Sequence, residues 1–415
     1  MSGPYHAAAT PAANPVARPS LSSATLLLFA VASGLAVANV YFAHPLLDVM
    51  ADDLGLERAT AGLIVAASQV GYALGLIFLV PLGDLFDRRR LIIGHFLLSG
   101  FALSAIGFAG NSTLLLMSMA AMGLLAVVTQ ALVAYAASLA DPARRGHVVG
   151  IVTSGIVLGI LLARAVAGAL TDIAGWRSVY LSSAILTLLI ALLLWRNLPR
   201  QKRNPTALSY PALILSLATL FRQEPVLRIR AIIAMLIFAN ITTLLAPLVM
   251  PLSAPPFELS HAEIGLFGLA GAAGALAASR AGSVADRGHA QRMTGIALLL
   301  MLLAWGPIAL LGHSLLWLIA GVLVIDFGLQ AVHVTNQAMI YRVRPDAQNR
   351  LTAAYMVFYS IGSASGSAIS TWVYAHAGWN GVCLLGAGIS LATLSFWAAT
   401  LRATPEAATR PLSSH

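Results

Sequence analysis

The sequence has few charged residues and almost no cysteine. Only 9% of its 415 residues are charged, whereas about a quarter of the residues in a soluble globular protein are. Because 59% are hydrophobic, lipid rather than water must surround much of the chain. The single cysteine, Cys383, excludes a disulfide framework and a cysteine-based metal site. The ten histidines lack ligand spacing, so we expect no metal site.

Motifs of an enzyme or of an ATP-driven pump are also missing. The sequence has no G-x-x-x-x-G-K-[ST] loop, so we expect no nucleotide and no other cofactor. It shows neither a nucleophile paired with a base nor a His/Asp metal cluster, which argues against a membrane-embedded enzyme. A non-transporting membrane sensor, a more distant alternative, would need a sizeable soluble domain. The longest stretch between apolar segments, 197–228, is too short for one.

Twelve apolar segments lie between the charged clusters. A bilayer core is about 30 Å thick, so a spanning helix needs roughly 20 apolar residues. The pattern predicts an all-α integral membrane protein with twelve transmembrane helices. The segments lie near 22–46, 59–82, 91–109, 113–139, 147–170, 178–195, 229–252, 262–281, 293–312, 315–340, 351–375 and 380–401.

Basic residues mark one side of the membrane. With the N-terminus placed inside, 21 of the 24 basic residues fall on the cytoplasmic side, while Arg58 and Arg177 fall outside and Arg164 lies within a span. This is the positive-inside rule, and it places both termini in the cytoplasm. We expect the chain to lie in a bacterial inner membrane. The net charge of +9 therefore reflects topology and attraction to anionic lipid, and we expect no nucleic-acid partner.

The chain repeats itself after about half its length. The motif at 83–88 returns 199 positions later, and Ala-Gly-Trp at 174–176 returns 203 positions later. Six is an even number, so the two six-helix units share one orientation, as in the parallel repeats of some transporters. We predict a tail at 1–21, an N-terminal bundle at 22–196, a linker at 197–228, a C-terminal bundle at 229–402 and a tail at 403–415. The apolar stretch at 209–225 is interpreted as a helix, either on the cytoplasmic leaflet or as an ordered tether.

These loop motifs resemble the signature of the major facilitator superfamily, and within it the drug/proton antiporters of the twelve-span, arabinose-efflux-like group. Gly83, Leu85, Asp87 and Arg88 match the first-loop pattern, although Phe86 replaces an alanine. The fifth-span pattern of the antiporters is matched only by its spacing of Gly146, Gly155 and Gly159. The resemblance implies the major facilitator fold, two bundles related by a pseudo-two-fold axis. It also implies a cytoplasmic gate, formed by Gly83, Asp87, Arg88, Asp286 and Arg287.

The resemblance also indicates candidate substrate-binding residues, in the spans that line the cavity in this superfamily. Small residues indicate candidate helix interfaces. Polar residues in these spans, and Arg164, predict a mostly apolar substrate cavity, although each alone is more often a packing residue. Arg164 either faces the cavity or snorkels. The predicted cavity residues are Asn39, Tyr41, Gln130, Arg164, Asn240, Gln330 and Gln337. Glycines predicted at helix interfaces, either as sliding faces between the halves or as static packing, are Gly71, Gly75, Gly155, Gly159, Gly271, Gly362 and Gly366.

The tenth segment carries one carboxylate. Between Leu315 and Ile340 there is no Lys, Arg or Glu, and Asp326 is the only acid. Asp326, Gln330, His333 and Gln337 are spaced by 4, 3 and 4, so they share one helix face. A buried carboxylate is costly in lipid and marks a functional site. We predict that Asp326 couples transport to protons, with His333 as relay or hydrogen-bond partner; substrate contact alone and helix packing are the alternatives.

These observations together predict a proton-coupled secondary transporter for small organic molecules. We expect alternating access, export by proton antiport and function as a monomer. A proton-coupled uptake symporter for a metabolite is the alternative. The energy source is the proton gradient, and the partners are the substrate and the lipid bilayer.

The predicted topology has a direct test. Reporter fusions after Leu56 and Leu259 are expected to read outside, and fusions after Arg90, Arg203 and Arg344 inside, because the basic loops stay in the cytoplasm. Ala36-Val37-Ala38 resembles a signal-peptidase site, but the apolar run continues past it, so we expect the first span to be retained. A mature N-terminus at Asn39 would contradict this topology.

Overall fold

The computed structural model describes residues 22–141, 144–198, 209–270, 289–343 and 348–403. In these ranges ten segments are long and apolar enough to cross a membrane, the last of them 54 residues long. That last segment holds two spans, because Gly378, with φ 61° and ψ −162°, breaks the helix Gln348–Thr400. A further predicted span, 262–281, is described only as far as residue 270. The chain therefore follows the predicted order of spans.

We number the spanning helices in chain order. They are α1 (Ser23–Tyr41), α2 (Leu63–Phe78), α3 (Arg88–Gly107), α4 (Ser112–Leu125 and Val128–Leu139), α5 (Arg145–Ala174), α6 (Trp176–Asn197), α7 (Pro225–Leu245), α8 (described as His261–Leu266 and the helical turn Phe267–Ala270), α9 (Ala290–Ala309), α10 (Leu315–Val343), and α11 and α12 (the parts of Gln348–Thr400 before and after Gly378). Short helices Leu47–Asp53 and Val249–Ser253 extend α1 and α7, and the linker helix is Tyr210–Gln223.

The repeated Ala-Gly-Trp motif has the same structural role in both halves. Gly175 separates α5 from α6 with φ 77°, and Gly378 separates α11 from α12 with φ 61°. Glycine adopts this left-handed backbone without the steric cost of a Cβ atom. The tryptophan that follows fixes the turn by a hydrogen bond. Trp176 Nε1 donates to Asp53 at 3.1 Å, and Trp379 Nε1 donates to the carbonyl of Ile308 at 3.0 Å.

Glycines allow helices to pack closely inside each half. A Cβ atom on Gly71 would collide with the backbone of Ala120, one on Gly159 with Gly34, and one on Gly362 with Met235. These are contacts of α2 with α4, α5 with α1 and α11 with α7. The same holds for Gly75, Gly155 and Gly366, and Gly271 lies outside the described residues. Of the two alternatives for these glycines, the contacts correspond to static packing within each half rather than to sliding faces between the halves. Spacing indicates close approach but does not identify the neighbouring helix.

The two halves meet at one end of the molecule and separate at the other. At the end opposite the linker, here called the distal side, Gly62 N donates to Thr371 Oγ1 at 3.2 Å and Ser367 Oγ donates to Gly62 O at 3.0 Å. At the linker side a cavity of about 410 Å³ lies between the halves. It is walled by α2 to α5 on one side and by the adjoining ends of α10 and α11 on the other.

The linker helix contacts both halves at the mouth of this cavity. Tyr210 donates a hydrogen bond to the carbonyl of Phe78 at the end of α2, at 2.9 Å. Leu220 is buried with Leu351 and Tyr355 of α11. On the opposite face Leu215 is 64% exposed. These contacts are those of an ordered tether between the halves, and they leave one apolar face uncovered.

The close contacts inside the halves predict an unequal response to alanine. Gly71→Ala should lower the free energy of unfolding of the purified protein by about 1–3 kcal/mol, and with it the melting temperature, since its Cβ would overlap the backbone of α4. Gly94→Ala is the matched control, because a Cβ there meets no atom within 4 Å. Equal melting temperatures of the two variants in detergent would contradict this packing.

Candidate functional site

Two opposite charges, one from each half, lie within spanning helices. Arg164 lies on α5 and Asp326 on α10, and their charges interact. Asp326 follows Leu315 by eleven residues, a depth of about 16 Å along the helix, and is 7% exposed. The helix axis thus carries this carboxylate well below the distal surface.

The guanidinium of Arg164 points inward. It stands over the ring of Tyr41, 5.7 Å from the centroid, and its Nε is buried and without a hydrogen bond. A Cβ on Gly268 of α8 would come within 3.0 Å of the Arg164 side chain, so the glycine lets α8 lie against the arginine stem. Of the two alternatives for this residue, the geometry corresponds to the inward one.

Tyrosines connect this charge pair to the cavity. Tyr41 and Tyr359, in opposite halves, share a hydrogen bond of 2.9 Å between their hydroxyls. The ring of Tyr72 lies edge-on to Tyr359 at 6.4 Å, and Tyr72 in turn bonds to Gln130, which lines the cavity. Phe238 packs on the other face of the cluster, 4.0 Å from the Tyr359 ring centroid. A continuous path of aromatic and polar side chains therefore runs from the cavity to Arg164.

His333 lies away from the charge pair. Its Nδ1 is 2.9 Å from the hydroxyl of Tyr355, and its ring meets the edge of Phe238 at 5.3 Å. It follows Asp326 by seven residues, about 10 Å along the helix, so direct proton transfer between them needs intervening groups. Gln330 and Gln337 are half-buried on the same helix. Asp326 and His333, predicted on one face of α10, therefore have different neighbours.

Two predicted cavity residues are packed inside their own halves. Asn39 accepts a hydrogen bond from Ser183 of α6 at 2.6 Å, and Asn240 donates to Ser390 of α12 at 2.7 Å. Both asparagines are at most 2% exposed. Each links the first helix of its half to the sixth, so the placement corresponds to the packing interpretation rather than to substrate contact. An amide in a lipid-exposed helix must bond to a neighbour, and sequence does not show on which side that neighbour lies.

The predicted gate residues of the first loop shape a helix end. Asp87 caps α3, accepting from the backbone of Arg89 at 2.8 Å and of Arg90 at 3.3 Å. Arg88 donates to the carbonyl of Gly83 at 3.3 Å, and both line the open linker-side cavity. Asp286 and Arg287 lie outside the described residues. With the linker side open, the predicted gate role stays a prediction.

Sequence reasoning missed a buried cation. Arg230 is among the 21 basic residues assigned to the cytoplasmic side, but it lies in α7 with 0% exposure and donates to Asn336 and Thr294, at 3.3 and 3.5 Å. Tyr359 was also missed, because one tyrosine in an apolar helix carries no distinctive spacing. A residue at the boundary of a span has no sequence signal that separates a surface anchor from a buried charge.

Comparisons with known proteins agree with this architecture. The family model described as Major Facilitator Superfamily matches residues 26–328 and 249–415. The chain is 49% identical over 377 residues to the "Putative uncharacterized transporter YgaY" of Escherichia coli K12, covering 91% of this chain and 95% of that protein. It is 25% identical over 361 residues to a "Probable sugar efflux transporter" of Helicobacter pylori, covering 85% and 88%. The fold matches a bacterial homolog of the human lysosomal transporter Spinster in an inward-facing, occupied conformation, with TM-score 0.75, 14% identity and coverage of 92% and 97%.

Proposed function

The chain belongs to the major facilitator superfamily, and we propose that it is a proton-coupled exporter of small organic molecules. Membership makes it a multi-pass secondary transporter with twelve spanning helices, not an enzyme. Beyond membership, we propose that protons drive the transport, that its direction is export, and that proton and substrate compete at one site. The proposal also takes the linker side as the cytoplasmic side of a bacterial inner membrane, since the basic residues cluster there.

One observation carries the proposal: Asp326 and Arg164, which belong to opposite halves, lie close enough for their charges to interact. An ionised carboxylate at this depth is stabilised by the arginine, whereas a protonated one needs no counterion. Protonation of Asp326 therefore changes how strongly the two halves attract each other. This is the property that a proton-coupled transporter requires of its coupling residue.

Substrate would enter this exchange through the same pair. A cationic or amphipathic molecule beside Asp326 competes with a proton for the carboxylate, so binding of one releases the other. The cavity that leads to the pair has mainly aliphatic walls, with Gln130, Arg88 and Arg350 among its polar residues. Such a lining fits an amphipathic organic molecule, oriented by a few polar groups.

The open cavity supports loading from the cytoplasm. In this conformation the linker side is open, while the distal contacts join the halves beyond the charge pair. The Tyr41–Tyr359 hydrogen bond joins the halves between the cavity and the pair. Export would then require the halves to separate at the distal side and close over the cavity. The relative named as a sugar efflux transporter also supports this direction.

The coupling role of Asp326 predicts a selective loss. In membrane vesicles incubated with a panel of organic cations and amphipathic compounds, Asp326→Asn should abolish accumulation driven by a pH gradient, because the amide cannot exchange a proton. Exchange of labelled for unlabelled compound at equal pH should persist. The measurement is uptake into inverted and right-side-out vesicles, with and without an acidic compartment.

Asp52→Asn is the matched control, since Asp52 lies in an exposed distal position with a side chain that is 60% exposed. Accumulation by inverted vesicles upon interior acidification indicates export. Accumulation only by right-side-out vesicles in acidic medium would overturn the direction and favour the uptake symporter. If Asp326→Asn still concentrates compound as the native protein does, Asp326 is not the coupling site.

A further inference from the structure

A histidine and two carboxylates join the halves at the distal side. His261, the first residue of α8, places Nε2 3.2 Å from Asp48 and Nδ1 3.1 Å from Asp172. Asp48 lies in the short helix after α1, and Asp172 lies in the last turn of α5. The imidazole of the C-terminal half is thus held between two carboxylates of the N-terminal half. We call these three residues the distal triad.

The backbone fixes the position of this imidazole. Asp172 also accepts hydrogen bonds from the backbone N–H groups of His261 and Ala262, at 3.2 and 2.8 Å. A Cβ on Gly168, one turn earlier in α5, would collide with the carbonyl of His261, so the two segments approach closely. The ring therefore meets its partners because the helix ends are docked. Its contacts form only while the halves are together at the distal side.

The geometry of the ring specifies its protonation. Both nitrogens face carboxylate oxygens, which accept hydrogen bonds only, whereas a neutral imidazole has a single N–H. Both contacts are hydrogen bonds only if the triad holds one more proton than a neutral imidazole with two carboxylates. The side chains of His261, Asp48 and Asp172 are 18%, 14% and 28% exposed, so water competes little for them.

We propose that closure of the distal side binds a proton at the triad, with His261 as the group that carries it. The proton comes from water on the distal side and returns there when the halves separate. Its binding therefore shifts the balance between conformations without moving charge across the membrane. This proton is distinct from the one proposed for Asp326, and the inference does not require that role.

Other charged groups near the triad leave its assignment unchanged. The elements packed against His261 contribute Arg164 from α5 and His44 from the turn after α1, and its own segment contributes Glu258 and Glu263. The helix of Asp48 also carries Asp52 and Asp53, which pair with Arg58 and Arg177. Glu263 is engaged by Ser260 in a capping box. Arg164 stands over Tyr41, as described above. In the described part of the chain, the polar contacts of the imidazole are those with the two carboxylates.

The electrostatics set the direction of the pH dependence. The hydrogen bond to Asp48, opposed by burial and supported by the charges of both carboxylates, raises the pKa of His261, which lies outside the apolar segment 262–281. The ordinary value is about 6.5. Because the pKa is raised in the closed form, the stabilisation is fully present below about pH 6.5 and is lost as the pH rises through the raised value. Acid on the distal side therefore favours closure.

The test measures closure directly, without a substrate. Spin labels at Glu57→Cys and Gly312→Cys, in a Cys383→Ser chain, report the separation of the halves at the distal side. In nanodiscs, pulsed electron paramagnetic resonance should show a short distance between the two spin labels below about pH 6.5. At higher pH a component with a longer distance between the labels should grow. His261→Gln should remove this response and show the long component at acidic pH, because the amide cannot take up the proton.

Two further variants separate the triad from other causes. His376→Gln removes an exposed imidazole at the distal end of α11, which bonds within its own helix to Trp372, and should keep the native response. Asp48→Asn should move the transition to lower pH, since the main contact that raises the pKa of His261 is lost. In Asp326→Asn the response should persist. A native pH response in His261→Gln, or distances that do not depend on pH, would overturn the inference, and loss of the response in Asp326→Asn alone would assign the proton to Asp326.

Discussion

A charge in the hydrocarbon part of a membrane must meet an opposite charge, a polar group or water, since lipid chains offer none of these. In this chain the constraint applies to Arg164 and Asp326, which lie in different halves. Their attraction depends on how the halves are placed relative to each other. A change in the charge of Asp326 therefore changes the attraction between the two halves. The tyrosines around Arg164 connect this interaction to the cavity.

The halves repeat in sequence and packing but differ at the ends of the molecule. Asn39 with Ser183 and Asn240 with Ser390 link the first and sixth helices of their halves, and the two Ala-Gly-Trp turns are equivalent as well. These repeated features hold each bundle together. The charged loop motif repeats, but the charge pair in the spans does not, because Arg164 occurs in one half and Asp326 in the other. The distal side likewise joins an imidazole from one half to carboxylates from the other. Symmetric packing thus supports each rigid half, and asymmetric polar contacts govern their relation.

Much of the fold could be predicted because lipid imposes simple rules. Spans of about 20 apolar residues and a repeat of six segments appear directly in the sequence. Asp326 was also evident, since it is the only acid in its segment. The neighbours of the polar residues and of the glycines could not be predicted. Asn39, Asn240 and the glycines each needed a close partner, but spacing along one helix does not show which other helix supplies it. Arg230 shows the same limit at the boundary of a span, and His261 meets its partners only through tertiary docking.

The central claim is that Arg164 and Asp326 interact across the interface between the halves. A double-mutant cycle with Arg164→Gln, Asp326→Asn and the double variant tests it most directly, with the free energy of unfolding measured at one pH for all four proteins. We expect the effects to be non-additive, with a coupling of about 0.5–3 kcal/mol, because each single variant removes the same interaction. Additive effects within about 0.3–0.5 kcal/mol would mean that the two charges act independently, and the account would fail.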